Sequence, residues 1–319
     1  MRLARPNLVG LLLFASAFLF APPRLSAQNP DDMMPAESEA KAKQLIQAAI
    51  DALGGQAYLN VRDSTCSGRA GTFGHSGELN GYGHFVDYSE PPDHERQENL
   101  PKRNIIDVFA GDKGWTLDRG GVSEKSSAEM AKFQGDLQFD LDYVLRHRIH
   151  EKDMIIRYAG PDIVELKEAD WVELVDSDNR TIRIAFSRNT HLPIQENVEL
   201  RDPSTDFRLE YRLYFSDYHP ISGIETPFQT ARERNGVKVF QVFLESCQYN
   251  TGLPSSLFSR ESLEDRWAQT GKKDADKKAR KEAEKEAKED KQNADQSGSD
   301  SPSGSSSAGG SPSASNPPH

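Results

Sequence analysis

The sequence predicts an α+β protein: a large curved antiparallel sheet, an incomplete β-barrel, covered by two amphipathic helices. Three observations predict it. Residues 171–258 form a run of alternating segments separated by turn chemistry. Two other segments, around residues 38–53 and 127–147, carry apolar residues at helical spacing. The six glycines Gly68, Gly71, Gly74, Gly77, Gly81 and Gly83 fall within early strands, where a strongly bent sheet needs them.

The alternation is clearest in FRLEYRLYF. Phe207, Leu209, Tyr211, Leu213 and Phe215 point one way, and Arg208, Glu210 and Arg212 the other. A period of two marks a half-buried antiparallel strand, with one face on an apolar interior and one in water. The flanking segments WVELV, RTIRIAF and IQENVEL are joined by Asp176-Ser177-Asp178-Asn179, His191-Leu192-Pro193 and Asp202-Pro203-Ser204. Gly223, Pro227 and Asn235-Gly236 supply the later corners, as expected of a meander.

The first helix carries Ala42, Leu45, Ile46, Ala49, Ile50 and Leu53 on one side and stops at Gly54-Gly55. Strands resume from Val61 to Tyr88. The polar stretch Ser89 to Arg103, with its prolines, reads as a loop, and IIDVFA, Gly111-Asp112-Lys113-Gly114 and Trp115-Thr116-Leu117 as a hairpin. The second helix, about Ser127 to His147, aligns Met130, Phe133, Leu137, Leu141, Val144 and Leu145 on one face. An open sheet of this size must close or be plugged, and plugging helices leave a cavity suited to an apolar ligand. Phe133, Leu137 and Leu141 of this helix, acting as a lid, are expected to line that cavity opposite Leu209, Tyr211 and Leu213. A filled core is the alternative.

The ends of the chain bear on location. Residues 1–27 have a basic start at Arg2 and Arg5, an apolar run from Leu8 to Phe20, and a small-residue cleavage site at Leu25-Ser26-Ala27. They predict a cleaved signal peptide, a soluble periplasmic or otherwise exported domain over residues 28–270, and no permanent membrane span. Residues 271–319 are charged and then rich in Ser, Gly and Pro, a composition that predicts a disordered tail. The Ala/Lys/Glu part has no apolar stripe and would be at most a solvated helix. Net charge is −11, and the leader contributes three arginines, so the central domain is more acidic still. That balance argues against nucleic acid and against anionic lipid surfaces as partners.

There are two cysteines, Cys66 and Cys247. In an oxidising compartment they could pair, closing a loop of about 180 residues, or remain two separate buried thiols; both readings stand.

Catalytic and metal signatures are missing. His147, His150 and Glu151 lie near a helix end, but H-x-x-H-E is not a zinc spacing. Asp176 to Asn179 resembles the start of a calcium loop without the glycine and glutamate that such a loop needs later. No G-x-S-x-G or phosphate-binding glycine loop is present, so no catalytic residue and no cofactor is predicted.

The closing run YFSDYHPISGIETPFQTARERNGVKVFQVFLESCQYNTGLPSSLF resembles the bacterial outer-membrane lipoprotein-sorting carriers, the LolA/LolB-like family. The likeness rests on Ser216, Tyr218, Gly223, Pro227, Asn235-Gly236, Asn250, Leu253, Pro254, Leu257 and Phe258, and on the helix ending A-L-G-G; it covers roughly residues 36 to 260. It implies an incomplete barrel of about eleven strands with an apolar cavity that receives acyl chains. The expected function is therefore a periplasmic carrier or binder of a lipid, lipoprotein or other acylated amphiphile. The alternative is a cell-envelope structural or interaction module on the same fold with a protein partner.

Overall fold

The computed structural model describes residues 32–100, 105–201 and 207–297. The leader, the break at Asp202-Pro203-Ser204 and the Ser/Gly/Pro-rich end of the tail lie outside the described residues. Thirteen strands make one antiparallel sheet: β1 Ser64–Phe73, β2 Leu79–Glu90, β3 His94–Leu100, β4 Ile105–Ala110, β5 Lys113–Asp118, β6 Gly121–Glu124, β7 Ile155–Val164, β8 Lys167–Val175, β9 Thr181–Ser187, β10 Pro193–Arg201, β11 Arg208–Ile221, β12 Ile224–Arg234 and β13 Val237–Tyr249. Their order is β6-β5-β4-β3-β2-β1-β13-β12-β11-β10-β9-β8-β7, so β6 and β7 are free edges and the sheet does not close. The helices are α1 Pro35–Leu53, α2 Gln56–Leu59, α3 Ser127–Leu137, α4 Leu141–Arg146 and α5 Arg260–Ser297.

By contact the chain divides into two units. One contains the residues up to Leu59 together with Leu141–Val239; the other contains Asn60–Asp140 and the chain from Phe240 onward.

In the first unit α1 forms where the apolar stripe demanded it, burying Ala42, Ile46, Ala49, Ile50 and Leu53. Gly54 ends it at φ 128°, a conformation that side-chained residues rarely adopt. A Cβ on Gly54 would also meet the carbonyl oxygen of Gly223 at 2.3 Å. The meander strands β7 to β12 pair in sequence, and their tight turns use residues that accept positive φ: Asn179, Ser222-Gly223 and Asn235-Gly236. Glu165 and Leu166, both at positive φ, turn β7 into β8 without Gly or Asn.

In the second unit β1 to β6 pair consecutively, and β13 returns to pair with β1. The register of β1 on β13 slips between Ser67 and Gly68, and a Cβ on Gly68 would lie 2.2 Å from the Phe243 carbonyl oxygen. There the glycine lets two backbones approach. Cys66 stands directly opposite Cys247, with Cα atoms 4.1 Å apart, and the two are disulfide-bonded.

The structure departs from the sequence reading at four places. His94–Leu100 is a strand, not a loop. It carries polar residues on both faces, so no apolar alternation betrays it. The helix expected over 127–147 is two helices, α3 and α4, separated by a tight turn in which Phe139 and Asp140 donate to Asp136 and Leu137 carbonyls. Asp140 then precedes α4, a position that favours aspartate. The sheet has thirteen strands, not about eleven. The charged stretch that begins at residue 271 is helical to Ser297, as the continuation of α5.

Candidate functional site

The inner face of the first unit is built from two rows that run across the strands. One reads Ile156, Leu174, Ile182, Val198, Tyr211, Arg234; its neighbour reads Tyr158, Val172, Ile184, Glu196, Leu213, Arg232. Near β7 to β10 the rows are sealed: Val172, Leu174 and Ile184 are 0% exposed. At β11 the same rows open, and Leu209, Tyr211 and Leu213 are only half-buried.

Helix α1 lies against β7 and β8 in the sealed part. At one end Ser38 accepts from the Tyr158 amide at 3.0 Å, and Lys41 Nζ lies 3.5 Å from the Tyr158 ring centre. At the other end Gly54 meets Gly223, so the helix runs from β7 to the turn before β12. Of the six residues expected to line a cavity, Leu141 lies in this unit and is 8% exposed, beside Val144 and Leu145, which are fully buried. It is part of a filled layer. Leu209, Tyr211 and Leu213 form the half-open strip, and Phe207 just before it is exposed.

Phe133 and Leu137 belong to the second unit, on α3. The Phe133 ring stacks on Phe109 at 4.1 Å, and Gln134 donates to the Gly111 carbonyl at 2.8 Å. A capping box of Ser126 and Glu129 starts the helix, yet α3 buries none of its residues. The sheet face beneath is polar. Register places Asp87, Gln97, Asp107 and Thr116 in one row, and Ser89, Glu95, Phe109 and Gly114 in the next. Lys125 bonds Asp107 at 2.6 Å and Thr116 at 2.8 Å, and sits 4.7 Å from the Phe109 ring centre. Burial pushes the Glu95 carboxyl up to about 7; Asp140, Asp107 and Asp136 add to the rise, and Lys125 opposes it. Burial, with Glu95 nearby, also pushes Asp87 well above the usual carboxylate range.

The opposite face of this unit is apolar. Ile106, Val108 and Leu117 pack with Phe258 and Leu263, flanked by Tyr88, Trp115, Leu253 and Leu257. Arg96 secures that closing segment, bonding Glu98 at 2.8 Å, the Leu257 carbonyl at 3.1 Å and Ser262 at 2.9 Å. The motif residues near the end of the sheet are corners. Asn250, at φ 56°, accepts from the Arg62 amide at 2.7 Å, and Asp63 gathers Thr251 and Gly252. Tyr218 donates to the Pro193 carbonyl at 2.8 Å.

His147 and His150 are exposed; the buried residue of that segment is Arg148 between them. Arg148 is 1% exposed, and its guanidinium donates to Glu151 and Asp176 at 2.9 Å each. Asp176 to Asn179 is a hairpin turn between β8 and β9, with Asp176 also accepting from the Asp178 and Arg180 amides. Sequence reasoning passed over Arg148 because an arginine within a helix end carries no spacing signal. Among the described residues no group of three or more His, Cys, Asp or Glu is placed to hold a metal ion.

Comparison with known proteins places the fold. No protein-family model matches the chain, and no curated protein matches it in sequence. Solved structures do. A DUF1329 family protein from Desulfovibrio piger aligns with a TM-score of 0.50 and 16% identity, over 70% of this chain and 98% of that one. An outer membrane lipoprotein-sorting protein domain from Vibrio parahaemolyticus gives 0.48 and 12%, over 70% and 99%. A LolA superfamily protein from Nitrosomonas europaea gives 0.47 and 11%, over 70% and 99%. At these identities the likeness is one of fold. The class so defined is an open antiparallel sheet with helices, and its neighbours are DUF1329, lipoprotein-sorting and LolA-superfamily proteins. Among the described residues no helix is long and apolar enough to cross a membrane.

Proposed function

We propose that this chain is an exported binder or carrier of an acylated amphiphile, a lipid or lipoprotein, and not an enzyme. One observation carries the reading. The two rows that are sealed at β8 to β10 continue onto β11 at Tyr211 and Leu213, which with Leu209 beside them make a half-open apolar strip. Leaving large apolar side chains half-open costs apolar burial at roughly 25 cal/mol per Å², so a sheet keeps such a strip when something apolar visits it. Both rows end on β12 at arginines, Arg232 and Arg234, which suit an acyl chain with an anionic head. The leader and the kinship of fold with lipoprotein-sorting domains support export and an acylated partner. Native mass spectrometry of protein purified from its own envelope tests the reading. Retained lipid or acyl mass is expected; wild-type protein that never carries such mass, even after incubation with lipid, refutes it.

A second reading is a non-transporting envelope module with a protein partner. The length of α5 favours it: the helix begins against β5 and β6 and continues through a charged stretch to Ser297. Pull-down with the α5 helix as bait, from lipid-free extract, distinguishes the two.

A further inference from the structure

The apolar strip on β11 has cations along its border. Across the β11–β12 pair Leu213 stands opposite Arg232, and Tyr211 opposite Arg234. Directly opposed side chains of an antiparallel pair start about 5 Å apart, and residues two apart on a strand share a face at about 7 Å. The two guanidiniums therefore flank the two apolar side chains on one face. Arg232 is half-buried and Arg234 exposed. Among the described residues neither side chain has an ion pair or a hydrogen bond. Every other described arginine of this unit is engaged. Arg157, Arg183, Arg208 and Arg212, on the opposite face of β7, β9 and β11, each meet a glutamate. A half-buried guanidinium without a carboxylate carries a desolvation cost that an anion would offset. The carboxylate of its own row, Glu196, lies two strands away beyond Leu213, about 10 Å by strand spacing, and is sealed from water. Tyr211 adds a donor: its hydroxyl has no partner among the described residues, whereas those of Tyr158, Tyr214 and Tyr218 are bonded.

We propose that the strip selects amphiphiles with an anionic head, a phosphate or a carboxylate, and that Arg232 and Arg234 are the residues that select it. The proposal rests on the binding reading above and narrows its ligand class. The acyl chain lies along Leu209, Tyr211 and Leu213, and the head sits at the guanidiniums, whose paired N–H groups match a phosphate or carboxylate. A neutral acylated anchor leaves both arginines without an acceptor, so the ligand is a free anionic lipid, a fatty acid or an acylated phosphate. The acidity of the central domain does not oppose this. It acts against an anionic surface as a whole and at a distance, where salt screens it, while a single head acts on the arginines at contact. The chain therefore takes anionic amphiphiles one at a time and stays off anionic surfaces.

Isothermal titration calorimetry on the delipidated full chain tests this with dodecyl phosphate, dodecyl maltoside and inorganic phosphate, the first two below their micellar concentrations. Dodecyl phosphate is expected to bind about tenfold more tightly than dodecyl maltoside. The Arg232→Gln/Arg234→Gln double variant is expected to lose that preference, and Arg232→Lys with Arg234→Lys to keep part of it. Wild-type protein supplies a check that needs no variant. Raising salt from about 0.05 M to about 0.5 M is expected to weaken dodecyl phosphate and to close the gap between the two probes. Equal affinity of wild type for both dodecyl probes overturns the proposal and leaves the carrier reading standing, whereas binding of neither overturns both. A preference that survives in the folded double variant, or at high salt, also overturns it. So does inorganic phosphate binding as tightly as dodecyl phosphate, since the strip then contributes nothing.

Discussion

Arg148 donates to Asp176 at 2.9 Å across 28 residues of sequence, and both are nearly sealed from water. The pair joins the turn after α4 to the β8–β9 hairpin of the same unit. Burial pushes the Asp176 carboxyl up, but the Arg180 amide, the Arg148 guanidinium and the Arg180 guanidinium outweigh it and hold the carboxyl below its ordinary value. Removing Arg148 leaves Asp176 with Arg180 and two amides and takes one charged hydrogen bond from a buried site. Arg148→Met is therefore expected to cost about 1–3 kcal/mol, read as a lowered urea midpoint. Because the folded value is depressed, the stabilisation is present above the ordinary value of 3.8 and is lost as pH falls through the lower folded one. The gap in midpoint between wild type and Arg148→Met should narrow in acid; a constant gap down to the lowest pH would show that the loss is one of packing.

The disulfide gives a second expectation. Cys66 and Cys247 are separated by 181 positions, and closing so long a loop restricts the unfolded chain strongly. Reduction, or the Cys66→Ser/Cys247→Ser double variant, is expected to lower stability by about 2–5 kcal/mol with the sheet intact. Urea titration with and without reductant reads it directly, and identical midpoints would show that the bond constrains nothing.

Half-open and sealed positions of the same rows should respond differently. Leu174→Ala lies in the sealed part and is expected to cost about 2–5 kcal/mol with no effect on acyl retention. Leu213→Ala, on the half-open strip, should cost under about 1.5 kcal/mol, and Leu213→Asp should abolish retention in a protein that still folds. Thermal melts paired with native mass spectrometry separate the cases. Unfolding by Leu213→Asp would mean that β11 is part of the filled core.

What was legible in the chain follows from where apolar pattern and special backbone coincide. The stripe of α1, the alternation of β11 and the turns at Asn179, Gly223 and Asn235-Gly236 each carry both signals, and the structure has each of them. Strand β3 was hidden because its buried residue, Arg96, is charged and satisfied by Glu98, Leu257 and Ser262, contacts that no local pattern announces. The turn at Glu165-Leu166 was hidden because neither residue is a usual turn former. The acidic face under α3 was illegible for another reason: Asp87, Glu95 and Asp107 come together only through the register of three strands. The strip of Leu209, Tyr211 and Leu213 could be read, but which part of that face a helix seals could not.

The last expectation concerns where the folded domain stops. Phe258 and Leu263 are buried at 3% and 0% in the apolar cluster with Ile106, Val108 and Leu117, so the first turns of α5 are core. Trp267, one further turn along, still borders Gly121. Beyond it the sequence is a mixture of Lys, Glu, Asp and Ala with no apolar stripe, the composition of a solvated face. Truncation after Thr270 is therefore expected to leave the urea midpoint within about 0.5 kcal/mol of the full chain. Truncation after Ser259, which removes Leu263 and the Ser262 hydroxyl that Arg96 uses, should lose about 3 kcal/mol or more. The two truncations differ by eleven residues and should differ in kind. If the longer truncate also lost several kcal/mol, the charged part of α5 would have to dock on the domain, and the interaction-module reading would lose its free arm.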